Sequence, residues 1–380
     1  MLLFQQTMNE RLTYAKGIYG EEEKQAVRRS LDSGWLSGGE ETRSFENEFA
    51  QWWGVKHALT VNSGSSADLV ALQALNLPKG AEVITPAGAA FPTTISAMMY
   101  LGLEVAFVDV KELCIDPDKI KEAIRYKTRA IMFAHTMGFM PDMDKIMRIA
   151  KDNNLRVIED CCDAVGSRQQ GRLAGTYGDI ATVSFYPAHH MTTGEGGMIL
   201  TNNTEVYKEA LSIRNWGADC TCGNLGGCTT RFSNPPFDHR YYYTRMGGNF
   251  QITEMQAAFG REQLKRLDGF IELRKRNYNI LARELGQPEC GDISPFAYPL
   301  FSNTKMEDMT RLNDRGIDTR VMFAGNVTRH PAFKYVGRIV DKLDNSDRIL
   351  EEGYFVGVGP HLTEDNMLYV AEEIKCLRKR

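Results

Sequence analysis

Between residues 46 and 205, short apolar runs alternate with longer stretches of mixed polarity. The runs are His57–Asn62, Glu82–Thr85, Glu104–Asp109, Arg129–His135, Arg156–Asp160, Ala181–Tyr186 and Gly197–Thr201. Each is short, rich in β-branched or apolar residues, and set off by a turn or by sequence of helix length, which is the pattern of a strand. The alternation predicts an α/β fold, with a mostly parallel seven-stranded sheet and helices on both faces. Ahead of it lie an exposed arm and a helix over Glu21–Ser33, charged on most faces and stopped at Gly34. Residues 217–240 (GADCTCGNLGGCTTRFSNPPFDHR) break the rhythm with Gly, Pro, Asn and Cys, and predict an irregular loop. A long helical pattern from about Ile252 to Leu285 leads into a smaller α/β unit. Its strands are expected at Phe296–Phe301 and Gly316–Met322, and its helices at Met306–Asn313 and Asp365–Lys379. The expected division is a large domain, residues 1–255 with the Cys-rich loop, and a small C-terminal domain, residues 256–380.

Composition narrows the function classes. A length of 380 residues suggests two domains, at roughly 100–200 residues each. With 45 Lys+Arg against 49 Asp+Glu, the net charge of −4 gives no basic surface for nucleic acid or anionic membrane. No apolar run reaches the roughly 18 residues of a membrane span. The first residues, MLLFQQTMNERLTYAKG, are too charged for a secretory signal, so a cytoplasmic chain is expected. In that compartment the eight cysteines do not form a disulfide framework. Four of them fall in two tight groups, at Cys161-Cys162 and at Cys220/Cys222, with Cys228 close behind.

Three segments carry candidate chemistry. The strand Arg156–Asp160 ends in Glu159-Asp160 and runs into Cys161-Cys162-Asp163, and open α/β sheets bind ligands beyond such strand ends. A carboxylate there can hold a pyridinium nitrogen protonated; equally, it can cap the following helix. The segment Ser184-Phe-Tyr-Pro-Ala-His189-His190-Met-Thr-Thr-Gly-Glu-Gly-Gly197 places two histidines in a turn before a Gly-rich stretch whose backbone N–H groups suit a phosphate. Asn62-Ser63-Gly64-Ser65-Ser66 stands between a strand and a helix, an anion site by helix-terminus physics, although Ser is also a common N-cap.

In this order, these segments resemble the fold-type I pyridoxal-phosphate (PLP) nucleotide-sugar aminotransferases and dehydratases of the DegT/StrS type. The resemblance extends to Trp35-Leu-Ser-Gly-Gly, Phe45-Glu-Asn-Glu-Phe and Gly248-Asn249-Phe-Gln-Ile-Thr-Glu-Met-Gln-Ala-Ala, and covers nearly the whole chain. It implies that Phe91 stacks on the cofactor ring, that Asp160 meets the ring nitrogen, that Asp163 and Tyr186 lie close to the ring, and that Gly64, Ser65, Ser184 and Asn249 contact the phosphate. Asn249 would come from the neighbouring subunit of a homodimer with shared active sites. The segment Phe323–Arg329 resembles one that approaches the nucleotide sugar, which implies Asn326 and Arg329 as substrate contacts.

The departures are more informative. The aminotransferases carry a cofactor-binding lysine two residues after the proline of Ser184–Gly197. This chain has His189 there and no lysine from Gly171 to Asn203. Imidazole forms no stable Schiff base with the cofactor aldehyde. The cofactor is therefore expected to be held non-covalently and to work as pyridoxamine phosphate (PMP), with His189 as a proton carrier whose unperturbed pKa of about 6.5 suits neutral pH. A His here is similar to the sugar 3-dehydratases. One subgroup regenerates its cofactor with glutamate. The other, of the 3,6-dideoxyhexose pathways, carries a [2Fe–2S] cluster and takes electrons from an NADH-dependent flavin/iron–sulfur reductase. Cys162, followed by Asp163, with Cys220, Cys222 and Cys228 downstream, resembles the second, and four thiolates suit such a cluster. The gap between Cys222 and Cys228 is shorter than usual there. Zinc also suits four thiolates. Cys114, Cys290 and Cys376 receive no role. The implied activity is reductive removal of the C3 hydroxyl of a nucleotide-linked 4-keto-6-deoxyhexose, CDP being the usual carrier in the subgroup, in deoxysugar synthesis for surface polysaccharide. The alternatives are a cluster-free dehydratase using glutamate, and an aminotransferase-like protein kept only for binding.

Overall fold

The computed structural model of the chain describes residues 11–89, 91–220 and 236–378. All seven strands of the alternating region form: β1 His57–Val61, β2 Glu82–Pro86, β3 Glu104–Val108, β4 Thr128–Ala134, β5 Arg156–Asp160, β6 Ile180–Ser184 and β7 Gly197–Thr201. Four more in the C-terminal part bear on the site: β8 Ala297–Phe301, β9 Thr319–Val321, β10 Arg338–Ile339 and β11 Gly353–Gly357. The main sheet has the order β1-β7-β6-β5-β4-β2-β3-β10. β7 runs antiparallel to both of its neighbours, and the other pairings are parallel. Every residue of β2, β6 and β7 is buried, as strands covered by helices on both faces must be.

The sheet therefore has eight strands rather than seven. The added strand, β10, is two residues long, too short for any alternation to show in the sequence. It lies along β3 and is anchored by Arg338, whose Nε and Nη2 reach Glu82 at 2.7 and 2.9 Å. The small unit is built on an antiparallel sheet, β8-β11-β9. Leu12 of the N-terminal arm forms a bridge to Ile317, and Tyr14 packs its ring 5.9 Å from Phe355. The expected boundary at residue 255 is thus crossed in both directions, by the arm into the small unit and by β10 into the large one.

One helix, Glu254–Leu285, joins the two cores. It opens with a reciprocal cap between Thr253 and Gln256 and ends at Gly286, whose φ of 67° is left-handed. Its first half packs Ala257, Leu267 and Ile271 on the large core, and its second half packs Tyr278, Leu281 and Leu285 on the small one. Glu254 also explains two sequence motifs. Its carboxylate accepts hydrogen bonds from the N–H groups of Gly39, Glu41 and Thr42 and from the Thr42 hydroxyl. A Cβ on Gly39 would lie 2.5 Å from Glu254 Oε2, so the second glycine of Trp35-Leu-Ser-Gly-Gly is a close-approach residue. Likewise Glu46 and Arg214 meet in a buried pair at 2.6 Å beside Thr60.

Candidate active site

A cavity of about 550 Å³ opens where the carboxyl ends of β1, β5 and β6 meet the small unit. Its floor comes from three connections: the turn Ser63–Ser65 after β1, residues 160–163 after β5, and the turn after β6 that ends at His189. Its mouth is framed by Phe91, by Arg320 and Phe323 of the small unit, and by Tyr14 of the arm.

The turn after β1 leads into the helix Gly64–Ala74, capped by Ser63, whose hydroxyl accepts from the Ser66 N–H at 3.1 Å. Gly64 is required for contact. A Cβ there would lie 2.7 Å from Ser184 Cβ and 3.4 Å from Cys162 Sγ. Gly64, Ser65 and Ser184 therefore converge at a helix N-terminus on the cavity wall, a place suited to a phosphate. Asp160 is 5% exposed; its Oδ1 accepts from the Cys162 N–H at 3.0 Å. One helical turn beyond Gly64 stands Asp68, 2% exposed, which accepts from the Thr182 hydroxyl at 2.8 Å. The Thr94 hydroxyl lies 3.4 Å from a carboxylate oxygen of each. Burial pushes both carboxyls up, Asp68 most strongly, and the charge of Asp160 pushes Asp68 further. A pair held this way accommodates a cation, such as a protonated ring nitrogen.

His189 sits across the floor with its side chain 14% exposed. Its Nδ1 lies 3.5 Å from Asp163 Oδ1, an ion-pair separation too long for a hydrogen bond, and Nδ1 has no hydrogen-bond partner among the described residues. The turn carrying it is clamped from behind by Arg274, only 3% exposed. Arg274 donates to the carbonyls of Ala188 at 3.1 Å, His189 at 2.9 Å and Phe296 at 2.9 Å. With no acid bonded to it among the described residues, this guanidinium has its pKa pulled down to about 10 by burial. The adjacent His190 faces the core, 2% exposed, and burial followed by the Arg274 charge drives its pKa well down, so it stays neutral.

Of the residues expected from the sequence, Gly64, Ser65, Phe91, Asp160, Cys162, Asp163, Ser184, Tyr186 and His189 all line the cavity. No lysine lines it among the described residues. Two contacts expected of the chain's own cavity are not brought there. Asn326 is fully buried, donating to Asp347 at 2.7 Å and accepting from the Thr328 N–H and hydroxyl. Arg329 is bound by both carboxylate oxygens of the same Asp347, at 2.8 and 2.5 Å. This corrects their expected placement: their polar groups are committed to the helix Asp344–Glu352 rather than turned to the cavity. Asn249 lies outside the cavity of its own chain, against Gln251 and Asn62.

Cys162 is the one expected cluster ligand on the cavity wall. Burial and the carboxylates Asp160, Asp68 and Asp163 push its thiol well up. Cys220 is partly buried and does not line the cavity, and Cys222 and Cys228 lie outside the described residues. Cys161 points away into the core. His135, Glu159 and Cys161 come within 4.8 Å of one another, a spacing open to a metal ion. The Glu159 carboxylate is already filled, however, by His135 Nε2 and the N–H groups of Gly175, Tyr177 and Gly178 at 2.6–2.9 Å. That trio is a structural knot. Asp68, Arg274, Arg320 and Tyr14 were not singled out by the sequence. Only Asp68 carried a signal, four residues after Gly64 on the same helix face.

The family model described as the DegT/DnrJ/EryC1/StrS aminotransferase family matches residues 18–375, and the chain belongs to that family. It is 41% identical to the lipopolysaccharide biosynthesis protein RfbH of Salmonella typhimurium, over 95% of this chain and 90% of that protein. It is 43% identical to the dTDP-4-dehydro-2,6-dideoxy-D-glucose 3-dehydratase of Saccharopolyspora spinosa, over 89% and 80%. Among solved structures it resembles the E coli GDP-4-keto-6-deoxy-D-mannose-3-dehydratase with bound hydrated PLP, with a TM-score of 0.88, 30% identity, and coverage of 96% and 99%. The fold is the PLP-dependent aminotransferase fold. No helix among the described residues is long and apolar enough to cross a membrane.

Proposed function

For this member of the DegT/DnrJ/EryC1/StrS family, we propose a 3-dehydratase that removes the C3 hydroxyl of a nucleotide-linked 4-keto-6-deoxyhexose using PMP and a [2Fe–2S] cluster. The observation that carries the reading is His189 on the floor of a cavity that no lysine lines among the described residues. When bound, PMP supplies an amine and an electron sink, and the cluster supplies single electrons. The names of two relatives, each a 3-dehydratase of a keto-deoxyhexose nucleotide, support the same substrate class.

The chain's own residues then divide the work. Gly64, Ser65 and Ser184 hold the phosphate, and Phe91 covers the ring. Asp160, kept in place by the Cys162 N–H, holds the proton on the ring nitrogen. His189 moves the proton at its Nε2, because Nδ1 faces Asp163; general acid–base transfer of this kind contributes roughly 10²–10⁴-fold. Tyr186, its ring 6.4 Å from that of His189, and Asp163 border the reacting centre. Asn249 would complete the phosphate site of a partner subunit in a homodimer. Cys162, Cys220, Cys222 and Cys228 would hold the cluster, and an NADH-dependent flavin/iron–sulfur reductase would feed it. CDP is the proposed carrier, and 3,6-dideoxyhexose or related deoxysugar synthesis the proposed setting.

The test is the visible spectrum of anaerobically purified protein, followed by turnover with PMP, reductase, NADH and a 4-keto-6-deoxyhexose nucleotide. A reddish-brown chromophore and a 3-deoxy product are expected. Lack of the chromophore after reconstitution with iron and sulfide removes the cluster. If product still forms with glutamate in place of reductase, the enzyme is a cluster-free dehydratase. If nothing turns over under either regime, the dehydratase reading is wrong.

A further inference from the structure

The charge along the cavity is lopsided. Asp68, Asp160, Asp163 and Glu195 all line it, and among the described lining residues the one fixed cation is Arg320. Apart from the phosphate cradle at Gly64, the described lining residues offer a diphosphate no other positive partner, so its favourable place is at the cation.

Arg320 is built for that position. It follows Thr319 at the start of β9, and its side chain is 49% exposed, at the mouth. Nη1 donates to Asp318 Oδ1 at 2.5 Å and to the Thr319 carbonyl at 2.8 Å. The guanidinium carbon lies 4.6 Å from the centre of the Tyr14 ring, and the Tyr14 N–H is itself held by Asp318 Oδ2 at 3.3 Å. The fork is thus fixed at one nitrogen and across one face, with its remaining edge at the mouth. A guanidinium pre-positioned in this way suits two phosphate oxygens better than a lysine would. Phe91 and Phe323 meet edge-to-face, 6.2 Å between ring centres, at the same opening.

We propose that Arg320 is the diphosphate anchor of the cavity, holding the nucleotide sugar at the mouth while its hexose reaches His189 on the floor. The inference rests on the nucleotide-sugar reading and places the substrate's charged contact at Arg320 rather than at Arg329.

The test uses PLP-loaded protein, so that the phosphate cradle at Gly64 is filled, and two probes, inorganic pyrophosphate and CDP, titrated calorimetrically. Arg320→Ala is expected to weaken both probes by about 10–100-fold, the range for hydrogen bonds to a charged group. Arg320→Lys is expected to fall between Ala and the parent. PLP affinity should stay within about twofold of the parent, because the cradle is built from the turn after β1 and the end of β6 and not from β9. Unchanged pyrophosphate affinity in Arg320→Ala, or no pyrophosphate binding by the parent protein, overturns the anchor; so does a parallel loss of PLP, which would place Arg320 at the cofactor. Turnover insensitive to Arg320 removes the anchor and leaves the dehydratase. Pyrophosphate binding that needs Arg320, with no 4-keto-6-deoxyhexose nucleotide turned over, removes the dehydratase and leaves the anchor.

Discussion

The floor and the mouth of the cavity are built on different principles. On the floor the acids and the turn that carries the histidine are tied into the buried fold. Asp160 is tied to the Cys162 N–H, Asp68 to Thr182, and the His189 turn to Arg274 through two carbonyls. At the mouth the groups are half-exposed, Phe91 at 54% and Arg320 at 49%, and most are held from one side. A rigid floor suits chemistry, which fails when a proton carrier moves by an ångström. A looser mouth suits recognition of a ligand that must enter and leave.

The largest test of this contrast is at His189. His189→Asn should lower turnover by about 10³-fold, within the range of general acid–base catalysis, while PLP affinity measured by fluorescence changes little. His189→Lys should acquire a visible absorption band that survives dialysis; its absence would count against the position assigned to His189. Next is Gly64→Val. The added carbons meet Ser184 at the cradle, so cofactor affinity should fall by about 100-fold, and turnover should recover only at high PMP. Intact affinity would mean that the phosphate lies elsewhere.

Arg274→Met tests the clamp. Turnover should fall by about 10–100-fold through kcat with KM little changed, since a misplaced proton carrier affects the transition state. Partial rescue by Arg274→Lys is expected, and an equal change in KM alone would move Arg274 from the floor to substrate binding. At the mouth, Phe323→Ala should raise KM by only a few-fold and leave kcat intact. The smallest effect is on stability. His190 is neutral when folded, with a pKa below its unfolded value of about 6.5. Its contribution is complete above that value and declines as pH falls, because the unfolded chain takes up a proton that the folded chain refuses. Thermal midpoints of His190→Phe should fall less steeply below pH 6.5 than those of the parent; equal slopes would remove His190 as the cause.

Much of the floor was legible in the sequence because its residues sit at strand ends and tight turns. Asp160 and Ser184 close their strands, and Gly64 stands two residues of turn beyond β1, so position along the chain predicts position in space. The mouth was less legible. Arg320 and Arg329 are nine residues apart, and the sequence pointed to Arg329. The packing of Asp347, eighteen residues later, commits Arg329 elsewhere. Asn326 was misplaced for the same reason: a buried amide must be satisfied, and Asp347 and Thr328 were the partners at hand. Glu159 and Asp160 make the point within one dipeptide. Successive side chains of a strand point to opposite faces. One therefore closes a knot of four N–H donors, and the other faces the cavity.

By itself the sequence determined the alternation that makes the α/β fold, the strand-end acids, and the histidine that stands where a lysine would bind the cofactor. These are local facts, set by residue type and period. Only the tertiary structure decided the eighth strand, the helix shared by both cores, the burial of Asp68 beside Asp160, and which arginine is left at the mouth. These depend on charges and donors brought together from far along the chain, where each polar group binds whichever partner the packing places within reach.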